Sequence, residues 1–387
     1  MPCPYITPLL SRIIVSSQIN NNLHLQNILK IVLMPLTAVY ALIVFLRNKL
    51  FDWNILSSQE FNFPVISIGN ITVGGTGKTP HVDYLINLLK EDFKVAVLSR
   101  GYKRKSKGFI LAGENPDPDE IGDEPCLLKL KYPETIVAVD SNRRKGIQKL
   151  SEMNPPPDLI LLDDAFQHRY VKPGLSILLF DYNRPVKKDM LLPSGRLREP
   201  VSSKKRAKII LITKSPQNLK AIEMRIMAQE MQLDKFQHLF YTRVNSGEVI
   251  SVFPNLKIDL PAILSKKPEI LIVSGIANPR HIKPFARKIS PQTKELVFKD
   301  HHSYNEQDAR LIVREYKKLT KMNGIVLTTE KDAVKLRKFQ EIFKEIEQRF
   351  FYIPIFINFL NEDQKNFNDQ IISYVRDNKR NSILHKK

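Results

Sequence analysis

A glycine-rich stretch that ends in lysine and threonine is the first feature of this sequence that could do chemistry. It reads NITVGGTGKTP and contains Gly74, Gly75, Gly77, Lys78 and Thr79. Glycines let the backbone approach an anion closely and turn its N–H groups toward it. The lysine then supplies positive charge to the β- and γ-phosphates of a nucleotide, and the threonine hydroxyl helps to hold Mg²⁺. The stretch therefore predicts a phosphate-binding loop, and Lys78 is also its predicted catalytic cation.

One position departs from the common pattern G-x-x-x-x-G-K-[ST], because Thr72 stands where that pattern has its first glycine. The context still favours the loop. An apolar strand at 63–69 precedes it, and a helix with Pro80 in its first turn follows it. The alternative is a glycine-rich turn without a ligand. The predicted nucleotide-binding residues are Thr72, Val73, Gly74, Gly75, Thr76, Gly77, Lys78 and Thr79.

An acidic pair, Asp163 and Asp164, ends a second apolar strand at 158–163. Beside a phosphate loop, one such carboxylate can hold or orient Mg²⁺ through water while the other faces the substrate. The alternative is a pair that caps the next helix. Gln167 and His168 follow at once and make a polar cluster without the spacing of a metal site. We predict catalytic roles for the two acids and substrate binding for Gln167 and His168.

The rest of the chain contains the elements that would position these residues. Hydrophobic residues make up 43% and charged residues 26% of 387 residues, which is typical of a globular protein of about two domains. Continuous Val, Ile and Leu runs indicate parallel strands covered on both faces, and helical stretches between them favour a doubly wound α/β fold. The predicted strands are 63–69, 94–100, 135–140, 158–163, 175–181 and 207–213, then 269–275, 294–298 and 324–329.

The two sets of strands predict two domains joined near 214–250, with a separate N-terminal segment before them. Residues 1–52 form an N-terminal extension and helix, residues 53–245 the core, and residues 246–387 a smaller C-terminal α/β domain with a basic tail. Two cysteines cannot build a disulfide framework, which fits a reducing compartment.

The uncharged run 31–46 and a net charge of +20 point to a membrane. At 16 residues the run is shorter than the roughly 20 that a spanning helix usually needs, so it either crosses or lies in the bilayer. The alternative is a buried core helix, and residues 1–27 receive no role. No nucleic-acid module accompanies the basic charge. We therefore expect an anionic membrane surface as partner, with no nucleic acid and no protein partner.

Eight short motifs together resemble one family, the tetraacyldisaccharide 4'-kinases, whose phosphate loop also lacks the usual first glycine. They occur in the family's order. The motifs are IGNITVGGTGKTP (68–80), LSRGYKR (98–104), IGDEP (121–125), DDAFQHR (163–169), LLPSGRLREP (191–200), SGIANP (274–279), DHHSY (300–304) and TTEKDAVKL (328–336).

The resemblance implies a P-loop NTPase-like core with a doubly wound, mainly parallel sheet, a smaller C-terminal α/β domain and an N-terminal membrane helix. It implies ATP and Mg²⁺ as cofactors. The expected reaction moves the γ-phosphate to the 4'-hydroxyl of a tetraacylated glucosamine disaccharide 1-phosphate, a membrane-embedded glycolipid of lipid A biosynthesis. The expected place is the cytoplasmic face of a bacterial inner membrane.

By the same resemblance, Asp123 is the catalytic carboxylate, and a histidine, His301 rather than His302, is its partner. Glu124 and Thr79 are implied Mg²⁺ ligands. From the residues alone, Asp123 could instead be the N-cap of the next helix. His301 could be a solvated loop residue, and its catalytic role requires the C-terminal domain to close on the core.

Basic residues near these motifs, Arg100, Arg196 and Arg198, are predicted to bind the substrate's 1-phosphate and to face an anionic membrane. The alternative for each is a solvated surface charge. A P-loop GTPase or transport ATPase is the competing function. A GTPase would carry an [NT]-K-x-D base reader, and ITKSP (212–216) begins this way but has Pro216 in place of the Asp.

Overall fold

The computed structural model describes residues 7–254, 256, 258–275, 282–299, 302–319 and 324–384, with side chains described from residue 30 to residue 379 except residue 188. His301 lies outside the described residues. Its proposed partnership with Asp123 therefore stays a prediction.

The described chain alternates strands and helices over most of its length. The strands are β1 (Val65–Asn70), β2 (Val95–Ser99), β3 (Ile110–Leu111), β4 (Ile136–Val139), β5 (Leu159–Asp163), β6 (Leu175–Asp181), β7 (Ile209–Thr213), β8 (His238–Ser246), β9 (Ile250–Ser251), β10 (Ile270–Ser274), β11 (Thr293–Val297), β12 (Ile325–Thr329), β13 (Phe350–Ile353) and β14 (Ile355–Phe359). The α-helices are α1 (Thr7–Asp52), α2 (Lys78–Leu89), α3 (Pro118–Ile121), α4 (Asp123–Lys131), α5 (Arg143–Ser151), α6 (Ala221–Met231), α7 (Leu260–Ser265), α8 (Ile282–Ile289), α9 (Glu306–Lys317), α10 (Glu330–Leu336), α11 (Gln340–Phe343) and α12 (Gln364–Leu384).

The larger sheet has nine strands in the order β14-β8-β7-β6-β1-β5-β2-β4-β3. Its inner pairs are parallel, and only the edge pairs β14–β8 and β3–β4 are antiparallel. Every residue of β1, β5 and β7 is buried, as expected of apolar strands with helices on both faces. The parallel strands end at one edge, so the loops after β1, β5, β6 and β7 meet there. The predicted fold class is confirmed.

The smaller sheet has the order β11-β10-β12-β13-β9, with β9 antiparallel to the rest. After it the chain returns to the larger sheet. There β14 pairs with β8, and α12 buries Phe367, Ile371 and Val375 in the core of that sheet. Residues 246–387 thus contribute to both sheets, and the proposed boundaries at 52/53 and 245/246 stay predictions.

The N-terminal helix α1 is long, and its segment Lys30–Asp52 is long and apolar enough to cross a membrane by length and composition alone. Only 11% of its apolar stretch is buried, which does not fit the alternative of a buried core helix. Its large exposed apolar side chains are Ile31, Val32, Met34, Leu36, Val39, Leu42, Ile43, Phe45 and Leu46. On the opposite side Thr37, Val44 and Phe51 are buried against the loops that follow β5 and β6.

Candidate active site

The phosphate loop connects β1 to α2, as the sequence predicts. Gly74 and Gly77 have φ angles of 101° and 89°, a left-handed conformation that costs glycine little and other residues more. A Cβ on Gly74 would also lie 2.8 Å from the Arg184 guanidinium. Both positions therefore require glycine.

Thr72 does not need to be glycine because the chain is extended there. It forms an antiparallel bridge with Leu197, and the Val73 N–H donates to the Arg196 carbonyl at 2.8 Å. The segment 194–199 thus forms a wall beside the start of the loop. The Arg196 side chain itself is exposed.

Three successive carbonyls of the loop, residues 75–77, accept hydrogen bonds from side chains below it. Lys214 donates to the first, Thr213 to the second at 2.8 Å, and His81 Nδ1 to the third at 2.7 Å. Burial lowers the pKa of His81 to about 4, so its ring is neutral and Nε2 accepts from the Thr242 hydroxyl at 3.0 Å. The Val73 and Thr76 N–H groups are bonded within the protein, and with the carbonyls fixed in this way the glycine N–H groups of the loop can face an anion.

Lys78 begins α2 and faces the acidic pair. Its Nζ lies 3.5 Å from Asp164 Oδ1, and Arg198 Nη1 lies 3.4 Å from the other oxygen of that carboxylate. The Arg198 carbonyl accepts a 2.9 Å hydrogen bond from Tyr40 on α1. Asp164 thus joins the phosphate loop to the wall that carries the N-terminal helix.

Three carboxylates influence one another at this edge. Burial, followed by the charges of Glu124 and Asp164, raises the pKa of Asp163 to about 7, although Lys78 and Arg143 act against the rise. Asp163 Oδ1 is buried and has no hydrogen-bond partner within the described part of the chain. Repelling carboxylates and an unpaired acceptor oxygen make this a favourable place for a cation.

The residues at this edge fit a Mg²⁺ ion that takes its remaining ligands from water and from nucleotide phosphates. Within the described ranges, no group of three His, Cys, Asp or Glu side chains could hold a metal ion alone. Mg²⁺ usually keeps several waters and takes one or two carboxylates plus substrate phosphates. Thr79, Glu124 and Asp163 would hold it here. In the ligand-free arrangement, Glu124 pairs with Lys331 at 3.3 Å.

Asp123 is the first residue of α4. The N-cap position belongs to Gly122, so the alternative of Asp123 as the N-cap is wrong. Instead, Asp123 Oδ2 lies 2.7 Å from Lys335 Nζ of α10, which is only 6% exposed and also donates to the His302 carbonyl at 3.0 Å. The ion pair joins the core to the smaller sheet.

The ring of His302, the alternative partner of Asp123, contacts Asp308 and Phe298. Its Nε2 lies 2.9 Å from Asp308 Oδ2, and the ring stacks on Phe298. Lys331 and Lys335 are two contact residues that had no predicted role. Their signal was present in TTEKDAVKL, because lysines four residues apart share one face of a helix.

The other predicted substrate-binding residues lie next to α1. Gln167 donates to the Asn70 carbonyl, and its own backbone carbonyl accepts from Arg47 at 2.7 Å.

Burial, followed by the positive charges of Arg143 and three further arginines, lowers the pKa of His168 to about 4. Arg100, one of those three, is exposed after β2. Arg143 is buried, and its guanidinium donates to the Asp163 carbonyl at 3.2 Å.

The N-terminal helix α1 contacts segment 194–199 through specific polar side chains. Thr37 donates to Ser194 at 2.7 Å, and Arg47 Nη1 lies 3.8 Å from the buried Glu199. A cavity of about 180 Å³ opens on the other side of the loop, where Thr79 and Glu124 meet the smaller sheet. The fold and this arrangement define a P-loop phosphotransferase that works beside an exposed apolar helix.

Comparison with known proteins gives the family. The family model described as tetraacyldisaccharide-1-P 4'-kinase matches residues 29–376. The chain belongs to this family. It is 44% identical over 352 residues to the tetraacyldisaccharide 4'-kinase of Phocaeicola vulgatus, covering 90% of this chain and 96% of that protein. It is 45% identical over 359 residues to the enzyme of Bacteroides fragilis strain ATCC 25285, covering 91% and 95%.

A solved relative has the same fold. The crystal structure of the "apo" form of LpxK from Aquifex aeolicus in complex with ATP has a TM-score of 0.69 and 29% identity, covering 90% of this chain and 99% of that one. The predicted family, fold class and enzyme class are confirmed. Membership implies a glycolipid substrate, and with the apolar α1 it indicates association with a membrane. The roles of the individual site residues stay predictions.

Proposed function

We propose that the chain transfers the γ-phosphate of ATP, with Mg²⁺, to the 4'-hydroxyl of a tetraacylated glucosamine disaccharide 1-phosphate. The reaction takes place at the cytoplasmic face of a bacterial inner membrane. One observation carries the proposal: a short series of contacts leads from the membrane-facing helix to the phosphate loop. Tyr40 contacts Arg198, Arg198 contacts Asp164, and Asp164 contacts Lys78.

The donor is held by the phosphate loop and the acids opposite it. Loop N–H groups and Lys78 bind the terminal phosphates, and Asp164 keeps the lysine directed at the site. When bound, Mg²⁺ supplies positive charge that neutralises the transferring group. Thr79, Asp163 and Glu124 would hold this ion, and Glu124 would then leave its ion pair with Lys331.

The acceptor hydroxyl needs a group that takes its proton as the new oxygen–phosphorus bond forms. Asp123 has this role, because it precedes Glu124 on the same helix end, and Glu124 lines the same cavity as Thr79. Lys335 orients the carboxylate through its 2.7 Å contact. The predicted role of His301 as partner of Asp123 requires the smaller domain to close on the core.

The acyl chains of the acceptor lie along α1, and its 1-phosphate contacts basic side chains beside that helix. Arg198 and Arg100 bind the 1-phosphate, and the neutral His168 adds no charge that would need a counter-ion at pH 7. Arg196, which is exposed, faces the anionic membrane surface. Each basic side chain near such a surface contributes about 1 kcal/mol.

The test is phosphate transfer from γ-labelled ATP by the full chain in detergent, with the disaccharide 1-phosphate, DNA or no acceptor. We expect label in the glycolipid only, at the 4' position, and none in the Asp123→Asn variant. Phosphate release that ignores the lipid, or faster turnover of GTP than of ATP, would instead support the competing NTPase function.

A further inference from the structure

His81 occupies a core position of α2 that packing alone would give to an apolar residue. The helix buries five side chains, and the other four are Val82, Leu85, Ile86 and Leu89. The imidazole is only 3% exposed, and burying a polar ring is costly unless its nitrogens have hydrogen-bond partners. The choice of histidine at this position is therefore explained by its partners and not by the core around it.

Both ring nitrogens are paired, and their partners determine which one carries the proton. The Gly77 carbonyl, 2.7 Å from Nδ1, can only accept a hydrogen bond, so the proton of the neutral ring lies on Nδ1. Nε2 is then an acceptor, and the Thr242 hydroxyl 3.0 Å away donates to it. Burial lowers the pKa of His81 to about 4, so the ring keeps this single proton at neutral pH.

Thr242 gives the ring a fixed support on the larger sheet. It is fully buried in β8 and lies opposite Phe359 of β14. Its carbonyl accepts a 2.9 Å hydrogen bond from the Ser215 N–H, in the turn that follows β7. The backbone of Thr242 is thus held from both sides. The position of the His81 ring therefore follows from the sheet and not from the phosphate loop.

The Gly77 carbonyl belongs to the peptide bond that leads into Lys78. This peptide is trans, so its carbonyl and its N–H point in opposite directions. The backbone N–H of His81 reaches the same carbonyl only at 3.3 Å, and the ring makes the shorter bond. As the first residue of α2, Lys78 has a backbone N–H without a carbonyl partner inside the helix. With the carbonyl directed at the ring, this N–H points away from it.

We propose that His81, supported by Thr242, is a positioning residue of the donor site, and that it fixes the Gly77–Lys78 peptide so that the Lys78 N–H faces the terminal phosphates. The proposal rests on the proposed use of a nucleoside triphosphate. The ring itself touches no phosphate, because it lies on the carbonyl side of the peptide. Without its hydrogen bond the peptide can rotate, and every ligand with a phosphate chain then loses a contact, whatever base it carries.

The first test changes the ring and compares ligands with and without a base. Binding of ATP and of inorganic tripolyphosphate to the full chain in detergent, with Mg²⁺, is measured by calorimetry for wild type, His81→Leu and His81→Asn. We expect His81→Leu to weaken both ligands by about tenfold, which corresponds to one lost hydrogen bond. His81→Asn keeps an N–H donor close to the place of Nδ1 and should restore most of the loss.

Ile86→Val, a buried change on the same helix, is the control for core packing. It should lower the free energy of unfolding and leave both affinities unchanged. If His81→Leu changed the free energy of unfolding but bound both ligands as wild type does, the histidine would only fill the core, and the proposal would be overturned. A loss confined to ATP would also overturn it, because the peptide contacts phosphates and not the base.

The second test removes the support of the ring and leaves the ring in place. Thr242→Val keeps the shape of the side chain but leaves Nε2 buried without a donor, whereas Thr242→Ser keeps the hydroxyl. We expect Thr242→Val to weaken ATP by about fivefold and Thr242→Ser by less than about twofold. Equal affinities of the two variants would overturn the proposal, since the ring would then not depend on the sheet. If His81→Leu does not fold, this pair decides.

A failure of the proposed function gives a different result from a failure of this role. Wild-type protein that binds ATP without phosphorylating the glycolipid would refute the proposed acceptor and leave the role of His81 standing. Wild type that binds neither ATP nor tripolyphosphate would refute both.

Discussion

The two sides of the active edge are built from different groups. On the donor side, the backbone carbonyls of residues 75–77 accept hydrogen bonds from Lys214, Thr213 and His81. Thr242 of β8 in turn holds the His81 ring. On the acceptor side, residues 163–170 and 194–199 present Arg169, Arg196 and Arg198 next to α1. Arg196 is exposed, and the other two are half-buried. The donor side is fixed before any ligand arrives, whereas the acceptor side can adjust its side chains.

This difference matches what each side is proposed to recognise. Terminal phosphates of a nucleotide have one shape, and a rigid cradle of N–H groups binds them without further ordering. A lipid headgroup at a membrane surface approaches from variable positions, and flexible arginines can follow it at the cost of side-chain entropy. Variants on the donor side should therefore change turnover, and variants on the acceptor side should change the apparent affinity for the lipid.

The largest effect is expected from Lys78→Ala on the donor side. The side chain is largely buried and lies beside Asp164, at the start of the helix that follows the loop. We expect kcat for transfer to the glycolipid to fall by about 10³-fold or more. Lys90→Ala, just beyond the other end of α2, is the matched control and should keep normal turnover. A loss below about tenfold in kcat for Lys78→Ala would contradict the assignment of this loop as the donor site.

The sequence predicted where the glycine-rich loop and the acidic pair lie in the fold, because both signals are local. A strand, a glycine-rich turn and a helix start lie within one short stretch, and Asp163 ends a continuous apolar strand. The supports of the loop were not predictable in this way. His81 reads as an ordinary helix residue until the fold brings Thr242 against it. Thr72 reads as a missing glycine until Leu197 pairs with it.

Elements without a clear apolar run were also missed. β8 is buried only in its middle, and its polar second half pairs with the antiparallel β14, so neither strand shows the continuous pattern of the inner strands. Contacts between the two sheets, such as Asp123 with Lys335, depend on how the chain returns from one sheet to the other. Spacing along the sequence does not contain this information.

A smaller effect is expected from Arg198→Ala on the acceptor side. The guanidinium touches Asp164 and belongs to the wall that carries α1. Losing one charge-assisted contact to a lipid phosphate should raise KM for the glycolipid by about tenfold and KM for ATP by less than about twofold. Arg225→Ala on the exposed face of α6 is the control. If the two KM values rose equally, the division between donor and acceptor sides would be wrong.

The smallest effect is a pH dependence that arises at His168 on the acceptor side. Burial and neighbouring arginines hold the pKa of His168 at about 4, whereas an unfolded histidine titrates near 6.5. Between these values the unfolded chain binds a proton that the folded chain does not. The stability gained from the neutral ring is therefore complete above about pH 6.5 and is lost as the pH falls toward 4. For a half-buried group, solvent screening reduces the loss at pH 5 to about 1 kcal/mol.

His168→Gln removes this titration, so its free energy of unfolding should fall by about 1 kcal/mol less than that of wild type between pH 7 and pH 5. Urea unfolding in detergent at both values measures the difference, and His238→Gln, at an exposed position, should behave as wild type. A bound anion would counter the repulsion by the arginines and favour the protonated ring, so a phosphate ligand on the acceptor side should reduce the pH dependence of wild type. An identical pH dependence of wild type and His168→Gln would mean that the ring is not held neutral among these arginines, and the acceptor side would then carry less positive charge than the comparison with the donor side requires.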